Sequence, residues 1–301
     1  MKAIVLTNYG GPEKLELREV PDPRPGPGQV AIRAAATSVN PIDRKLRSGA
    51  LREWTPLALP AILGRDVSGE VVERGPDVTE LAVGDRVLGV ASHTYAERVV
   101  APVSALAKLP PGLDLRDAGA LPLVVLTGAE LIEEAVRPTK GETVLVTGAV
   151  GGVGRAAVFA ARKLGARVFA GVRERQKTEA AELGADRVVA LDRADEIAGL
   201  PKLDAIADTV GGSTIASLLG SLRKGGRLGS VVGAPPGAKG QDIQVTAFVA
   251  QPDGRRLREL AEAVARGELK IPISKRLPLA EAREAHRLAE RGGIGKVVIT
   301  M

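Results

Sequence analysis

One stretch restricts this chain more than any other. Val144-Leu145-Val146-Thr147-Gly148-Ala149-Val150-Gly151-Gly152-Val153-Gly154 carries an apolar run through a cluster of glycines into a segment with helical spacing. A strand is predicted at 143–147 and a helix at 152–164, with Val153, Ala156, Ala157, Ala160 and Leu164 on one face and Gly165 as its stop. A second strand is expected at 167–171. An anion can approach the start of such a helix only if no side chain intervenes, and there it meets free amide hydrogens and the positive end of the helix dipole. Gly148, Ala149, Gly151, Gly152 and Val153 are therefore the backbone expected to hold a dinucleotide pyrophosphate. Ala149, Gly151 and Gly154 fill the three spacings of the dinucleotide fingerprint, with alanine in the first. Turns also use glycine for reasons unconnected with ligands. The preceding strand, the amphipathic helix and a second strand ending about twenty residues later favour the nucleotide.

The end of that second strand discriminates between nicotinamide cofactors, because an acid there holds a ribose diol whereas a base holds a 2′-phosphate. The sequence is Gly171-Val172-Arg173-Glu174-Arg175-Gln176-Lys177. No carboxylate occupies the tip, and Arg173 and Lys177 can supply cationic donors, so NADPH is the expected cofactor. Ordinary surface charge, with Glu174 among it, is the competing explanation.

Around this unit the patterning changes twice. Residues 1–110 read as short β segments at 1–7, 14–20, 29–36, 68–74, 85–90 and 95–101, as in a small, mostly antiparallel barrel. From Asp114 a helix is expected through Ala118 to Ala135, interrupted near Pro122. Strands at 187–191, 203–208 and 227–232 then alternate with helices, which implies a parallel sheet covered on both faces. Beyond about 250, helices at 254–266 and 279–291 and strands near 273–277 and 296–300 are too few to stand alone. The expected division is 1–113 with 251–301 as one domain, and 114–250 as a Rossmann domain, an α/β architecture overall.

Composition narrows the chemistry. The 301 residues contain no cysteine and two histidines, which removes disulfides, thiolate zinc sites and multi-histidine metal sites. No apolar run approaches the roughly 20 residues of a membrane span, and Met1–Leu6 is strand-like where a signal peptide would be charged and then apolar, so the cytoplasm is the expected location. A net charge of +6 permits a nucleic-acid partner. The bases are interspersed with acids, and three Phe, two Tyr and one Trp leave little for base stacking, so no specific nucleic acid is expected.

These residues resemble the quinone oxidoreductase branch of the medium-chain dehydrogenase/reductase family over nearly the whole chain. The likeness rests on Ser38-Val39-Asn40-Pro41-Ile42-Asp43, Gly64-Arg65-Asp66-Val67-Ser68-Gly69, Gly84-Asp85-Arg86-Val87, Leu121-Pro122-Leu123 running to Thr127, the glycine loop, Asp208-Thr209-Val210-Gly211-Gly212 and Gly295-Lys296-Val297-Val298, in that order. The resemblance implies a GroES-like β-rich barrel with an inserted Rossmann domain. Zinc-dependent relatives hold a metal with two cysteines and a histidine; here Asn40 replaces the first ligand, Arg65 the second, and no cysteine exists for the third. The expected reaction is zinc-free hydride transfer from NADPH to a quinone or to an alkene conjugated to a carbonyl.

By resemblance, Asn40 lies near the nicotinamide and the substrate carbonyl, Thr127 near the carboxamide, Thr209 and Val210 along the cofactor, and Val232, Gly233, Ala234 and Phe248 around the nicotinamide. The Asn40 amide is a candidate donor to an oxygen gaining charge, or equally a turn residue satisfying its own backbone before Pro41. Where some relatives carry tyrosines, this chain has Arg44, Arg47, Leu51 and Trp54. Tyr95 is expected to pack at the barrel edge and His93 to be a surface residue, leaving water as the proton source. Two alternatives remain: an enoyl-thioester reductase whose Arg44, Arg47 and Arg52 bind an anionic carrier, and a cofactor-binding protein with an RNA-binding or structural role. A homodimer formed near Leu228–Gly233 is also expected from the resemblance.

Overall fold

The computed structural model describes residues 1–293 and 295–301. In chain order its elements are β1 (Lys2–Leu6), β2 (Leu15–Glu19), β3 (Gln29–Ser38), α1 (Pro41–Ser48), β4 (Ala61–Ile62), β5 (Asp66–Arg74), β6 (Arg86–Val90), β7 (Arg98–Pro102) and β8 (Leu106–Lys108). They continue with α2 (Pro122–Glu130), β9 (Thr143–Thr147), α3 (Gly152–Lys163), β10 (Arg167–Val172), α4 (Lys177–Ala181), β11 (Arg187–Ala190) and α5 (Ala194–Ala198). Then follow β12 (Leu203–Asp208), α6 (Gly212–Leu218), β13 (Leu222–Ser230), β14 (Ile243–Ala247), α7 (Gly254–Ala265), β15 (Ile273–Pro278), α8 (Ala282–Arg291) and β16 (Lys296–Thr300). None of the described helices is long and apolar enough to cross a membrane.

The chain divides into two compact units, Met1–Leu123 with Pro252–Met301, and Val124–Gln251. The first boundary falls after Leu123, whereas the sequence placed it after residue 113. The intervening residues belong with the first unit for a packing reason: a Cβ on Gly119 would stand 2.8 Å from the Ala36 Cβ, so the turn at Asp117–Ala120 lies flat on β3. Asp114 does cap this turn, accepting from the Arg116 and Asp117 amides at 2.9 and 3.0 Å, but the helix proper starts only at Pro122. There the proline's missing N–H costs nothing.

The first unit is built on β3. It pairs antiparallel with β5, β7 and β16, and β5 continues to β6 and β8. Alternation along β3 sends Val30, Ile32 and Ala34 into a core with Val67, Val71, Val87 and Val99. A second core gathers Ile4, Leu6, Leu15, Val39, Leu279, Val297 and Ile299. Through β16 the last residues of the chain thus lie against residues 36–38.

The second unit is a six-stranded, all-parallel sheet in the order β11-β10-β9-β12-β13-β14. Its central strands β9 and β12 carry the buried apolar runs 144–146 and 205–207, as burial on both faces requires, with Leu145, Phe169, Ile206 and Leu228 in one core cluster. Here the structure corrects the expected sheet edge. Leu228 is buried and β13 is flanked by β12 and β14, so the edge on this side of the sheet belongs to Ile243–Ala247 and the other to β11. The 243–247 stretch has only half-buried and exposed residues and so lacks the apolar signature of its neighbours.

Candidate functional site

The turn from β9 into α3 is shaped by close backbone contacts. Gly148 has φ +63°, and a Cβ on Gly154 would stand 2.2 Å from the Gly148 carbonyl oxygen, so neither position accepts an ordinary side chain. Gly151 caps α3 in an extended conformation, and the first helical bond runs from Arg155 N–H to the Gly151 carbonyl at 2.8 Å. The amides of Gly152, Val153 and Gly154 precede that bond and have no partner within the helix. Ala149 is buried, its N–H bonded to the Gly171 carbonyl at 3.1 Å, which ties the loop to β10.

Two residues that sequence reasoning did not single out hold this turn. Arg155 is buried, donates from Nε to the Val150 carbonyl at 2.9 Å and pairs with Glu179 at 2.6 Å, bracing the loop from behind. Asp208, also buried, ends β12 and accepts from Thr147 Oγ1 at 2.9 Å, Ser230 Oγ at 2.8 Å, and the Val210 and Gly211 amides at 3.1 and 2.9 Å. One carboxylate thereby joins the ends of β9, β12 and β13. Thr209 completes the knot, donating from Oγ1 to the Thr147 carbonyl at 2.7 Å. Its side chain and that of Val210 would lie 2.6 and 2.9 Å from a Cβ on Gly148, so the Thr209-Val210 pair sits directly beside the glycine turn.

The remaining expected cofactor residues fall along the same sheet end or on α2. Val232 follows β13 and is exposed; Gly233 has φ +105°; and Ala234 is exposed. Phe248, half-buried, donates its N–H to the Ser230 carbonyl at 2.8 Å, which brings it to the end of β13. Thr127 is half-buried on α2, in the turn between Val124 and Gly128, both of which touch α3.

The two candidate phosphate donors differ. Lys177 pairs with Glu196 and, at 3.1 Å, with Glu174; those bonds, Glu196 first, raise its pKa and occupy its ammonium. Arg173 is exposed at the tip of β10, and no carboxylate pairs with its guanidinium among the described residues.

In the first unit, Asn40 precedes α1 and is buried. Its N–H is accepted by the Asp43 carboxylate at 2.8 Å, as in a capping box. Its side chain donates from Nδ2 to Asp66 at 2.7 Å and accepts from Lys296 Nζ at 2.6 Å. Asp66 further accepts from Ser38 Oγ and, at 2.7 Å, from the Leu123 amide. Asp43 lies beside this group with Oδ1 unpartnered; burial foremost, and then the Asp66 charge, push its carboxyl up to about 7.

Tyr95 and His286 extend the polar interior. Tyr95 is wholly buried, deeper than an edge position, and its hydroxyl meets His286 Nε2 at 3.1 Å. Arg47 Nη1 meets His286 Nδ1 at 3.0 Å, and since arginine only donates, Nδ1 must accept and Nε2 must carry the proton. Burial first, then Arg47 and Arg44, pull the histidine down to about 3, so it stays neutral. Arg47 is buried against the Gly10 carbonyl and Glu290, which withdraws it from the basic surface loop the sequence suggested. His93 is exposed, as expected. Trp54 is 85% exposed.

Comparison with known proteins decides the family. The chain matches the family model of the alcohol dehydrogenase GroES-like domain over residues 26–111 and that of zinc-binding dehydrogenases over 183–299. A quinone oxidoreductase from Pseudomonas aeruginosa is 32% identical over 99% of both chains. The chain is a medium-chain dehydrogenase/reductase. A 2-haloacrylate reductase from Burkholderia is 31% identical over 99% of this chain and 98% of its own. A mycobacterial protein solved in complex with NADPH superposes with a TM-score of 0.86 at 32% identity, covering 100% of both chains.

Membership raises two fits that the residues can answer. The zinc set does not fit. There is no cysteine, and at the two other positions that the resemblance assigns to ligands, Asn40 is an amide already holding an ammonium and Arg65 a guanidinium that, among the described residues, bonds Ser92 Oγ at 3.4 Å. No group of three or more His, Cys, Asp or Glu placed to hold a metal occurs among the described residues. The nicotinamide dinucleotide does fit, because the amides of Gly152, Val153 and Gly154 at the start of α3 have no partner within the helix and Gly151 and Gly152 carry no side chain there to block an anion.

Proposed function

We propose that this oxidoreductase is an NADPH-dependent, zinc-free reductase that delivers hydride to a quinone or to an alkene conjugated to a carbonyl, and that it works as a homodimer joined along the open edge at β14. The observation that carries the reading is the glycine-rich start of α3, with its free helix amides, combined with an arginine at the tip of β10 that no carboxylate pairs among the described residues. The bound nicotinamide supplies the hydride. The chain's own part is to bind and orient. Gly152, Val153 and Gly154 offer amides to the pyrophosphate, and Gly148, Ala149 and Gly151 keep its approach clear. Arg173 donates to the 2′-phosphate, with Lys177 contributing only long-range charge because its ammonium is shared by two carboxylates. Thr127, Thr209, Val210, Val232, Gly233, Ala234 and Phe248 line the remainder of the cofactor.

Asn40 donates from Nδ2 to the acceptor's oxygen. As the hydride adds to carbon, the displaced π electrons collect on that oxygen, and a proton from water completes the reduction. Neither Tyr95 nor His286 serves as the acid: the His286 Nε2–H is spent on Tyr95, and burial pushes the Tyr95 hydroxyl well above its ordinary pKa. The enoyl-thioester alternative loses one of its three arginines, since Arg47 faces inward. The named activities of the relatives, on quinones and on a halogenated acrylate, are consistent with an electron-poor acceptor.

The test is NADPH oxidation followed across quinones, short enones and acyl thioesters, in a preparation sedimenting at about twice the 31.2 kDa chain mass. Quinone or enone turnover is expected to exceed thioester reduction by at least about tenfold. Equal or greater turnover of thioesters, or a monomer of full activity, would reject the corresponding part of the reading.

A further inference from the structure

The Asn40 side chain is held between opposite charges that come from distant parts of the chain. Lys296, the first residue of β16, donates to Oδ1 at 2.6 Å and lies 3.4 Å from the Val39 carbonyl. Asp66, the first residue of β5, accepts from Nδ2 at 2.7 Å, and the two charged groups are 3.5 Å apart. All three residues are buried. An ammonium has only donors and an ionised carboxylate only acceptors. The amide therefore has one permitted orientation, because a flip would set NH₂ against the ammonium and oxygen against the carboxylate. A primary amide carries two N–H bonds. Asp66 takes one; no second acceptor faces Nδ2 among the described residues.

We propose that Lys296 is a positioning residue: together with Asp66 it locks the Asn40 amide so that the valence left for an acceptor's oxygen is an N–H and never the carbonyl. This rests on the reading that Asn40 donates to the substrate. The geometry explains why a buried lysine is retained here. An uncharged partner such as glutamine has both a donor and an acceptor, so Asp66 alone would then oppose the flip, and the flipped amide would repel an oxygen gaining negative charge. The surrounding charges suit the role. Burial lowers the Lys296 pKa, while Asp66 and Asp43 act to keep it protonated, and Arg47 and neutral His286 lie beyond Asp43 and Tyr95.

The test is a kinetic cycle on Asn40→Ala, Lys296→Met and the double variant, with Lys296→Arg as the conservative partner. Lys296→Met is expected to lower kcat at least about tenfold while NADPH affinity stays within about twofold, and Lys296→Arg to restore most of the loss. The double variant is expected to be no slower than Asn40→Ala, because Lys296 acts through that amide. Additive losses, or a Lys296→Met enzyme that folds and turns over normally while Asn40→Ala is slow, would overturn the positioning role alone. Normal kcat in Asn40→Ala would instead overturn the donor reading on which it rests. Should Lys296→Met fail to fold, Asp66→Asn with Lys296→Gln removes both charges and keeps hydrogen-bonding groups. The same fall in kcat is expected of it, and full activity would again overturn the proposal.

Discussion

Asp66→Ala is expected to destabilise the first unit by about 3–5 kcal/mol, the usual consequence of stranding a buried charge. Asp66 is fully buried and serves four donors at once: Ser38 Oγ, Asn40 Nδ2, the Leu123 amide and, at 3.5 Å, the Lys296 ammonium. Its removal leaves the ammonium with an amide oxygen and a carbonyl, and with Asp43 alone as a weaker counter-charge. Pairing the substitution with Lys296→Met should return a large part of the loss, since the uncompensated cation then disappears. Urea unfolding of the single and the paired variant reads this directly; a loss below about 1 kcal/mol in the single variant would show that the cluster is far better hydrated than its burial implies.

The second large effect is on pH dependence, and it is hidden in the native protein. Asp43 has its folded pKa raised to about 7 from 3.8, chiefly by burial, so its contribution is full below about 4 and is lost as pH rises through 7. His286 is shifted oppositely, to about 3 from 6.5, again chiefly by burial, so its contribution is full above 6.5 and is lost as pH falls toward 3. Between these limits the two slopes oppose and nearly cancel. Asp43→Asn should uncover the histidine, giving stability that increases from pH 4 to 6.5 by up to about 3.5 kcal/mol at about 1.4 kcal/mol per unit. His286→Gln should give the reverse slope. Hydrogen exchange at β3 and β16 amides reports on this unit specifically, and parallel slopes in both variants would refute the opposed titrations.

These buried charges show where sequence reasoning runs out. The glycine turn was legible because strand, turn and helix are contiguous, and β9 and β12 occupy the residues their apolar runs indicated. Helix α1 was not, although Asn40-Pro41-Ile42-Asp43 is a helix start: it buries Asp43 and Arg47, reversing the pattern by which an amphipathic helix is recognised. Their partners explain the reversal, yet Asn40 meets Asp66 across 26 residues and Lys296 across 256, and nothing local announces either. Lys177 illustrates the same limit in the nucleotide site. Its neighbours in sequence suggested a free cation, whereas Glu196, 19 residues on, claims it. Strand β14 escaped notice because an edge strand needs no apolar alternation, and so the sheet edge was placed one strand too far in.

The claim on which the account turns is that a reduced nicotinamide dinucleotide sits at the start of α3 with its 2′-phosphate on Arg173. Calorimetric titration of the native protein and of Arg173→Ala with NADPH and NADH examines it without reference to any substrate. Saturable binding of one nucleotide per chain is expected, with NADPH favoured by about tenfold or more, as charge-assisted hydrogen bonds to phosphate allow. Arg173→Ala should abolish that preference and leave NADH binding unchanged. Equal weakening of both nucleotides would contradict the phosphate assignment, and no saturable binding of either would contradict the whole.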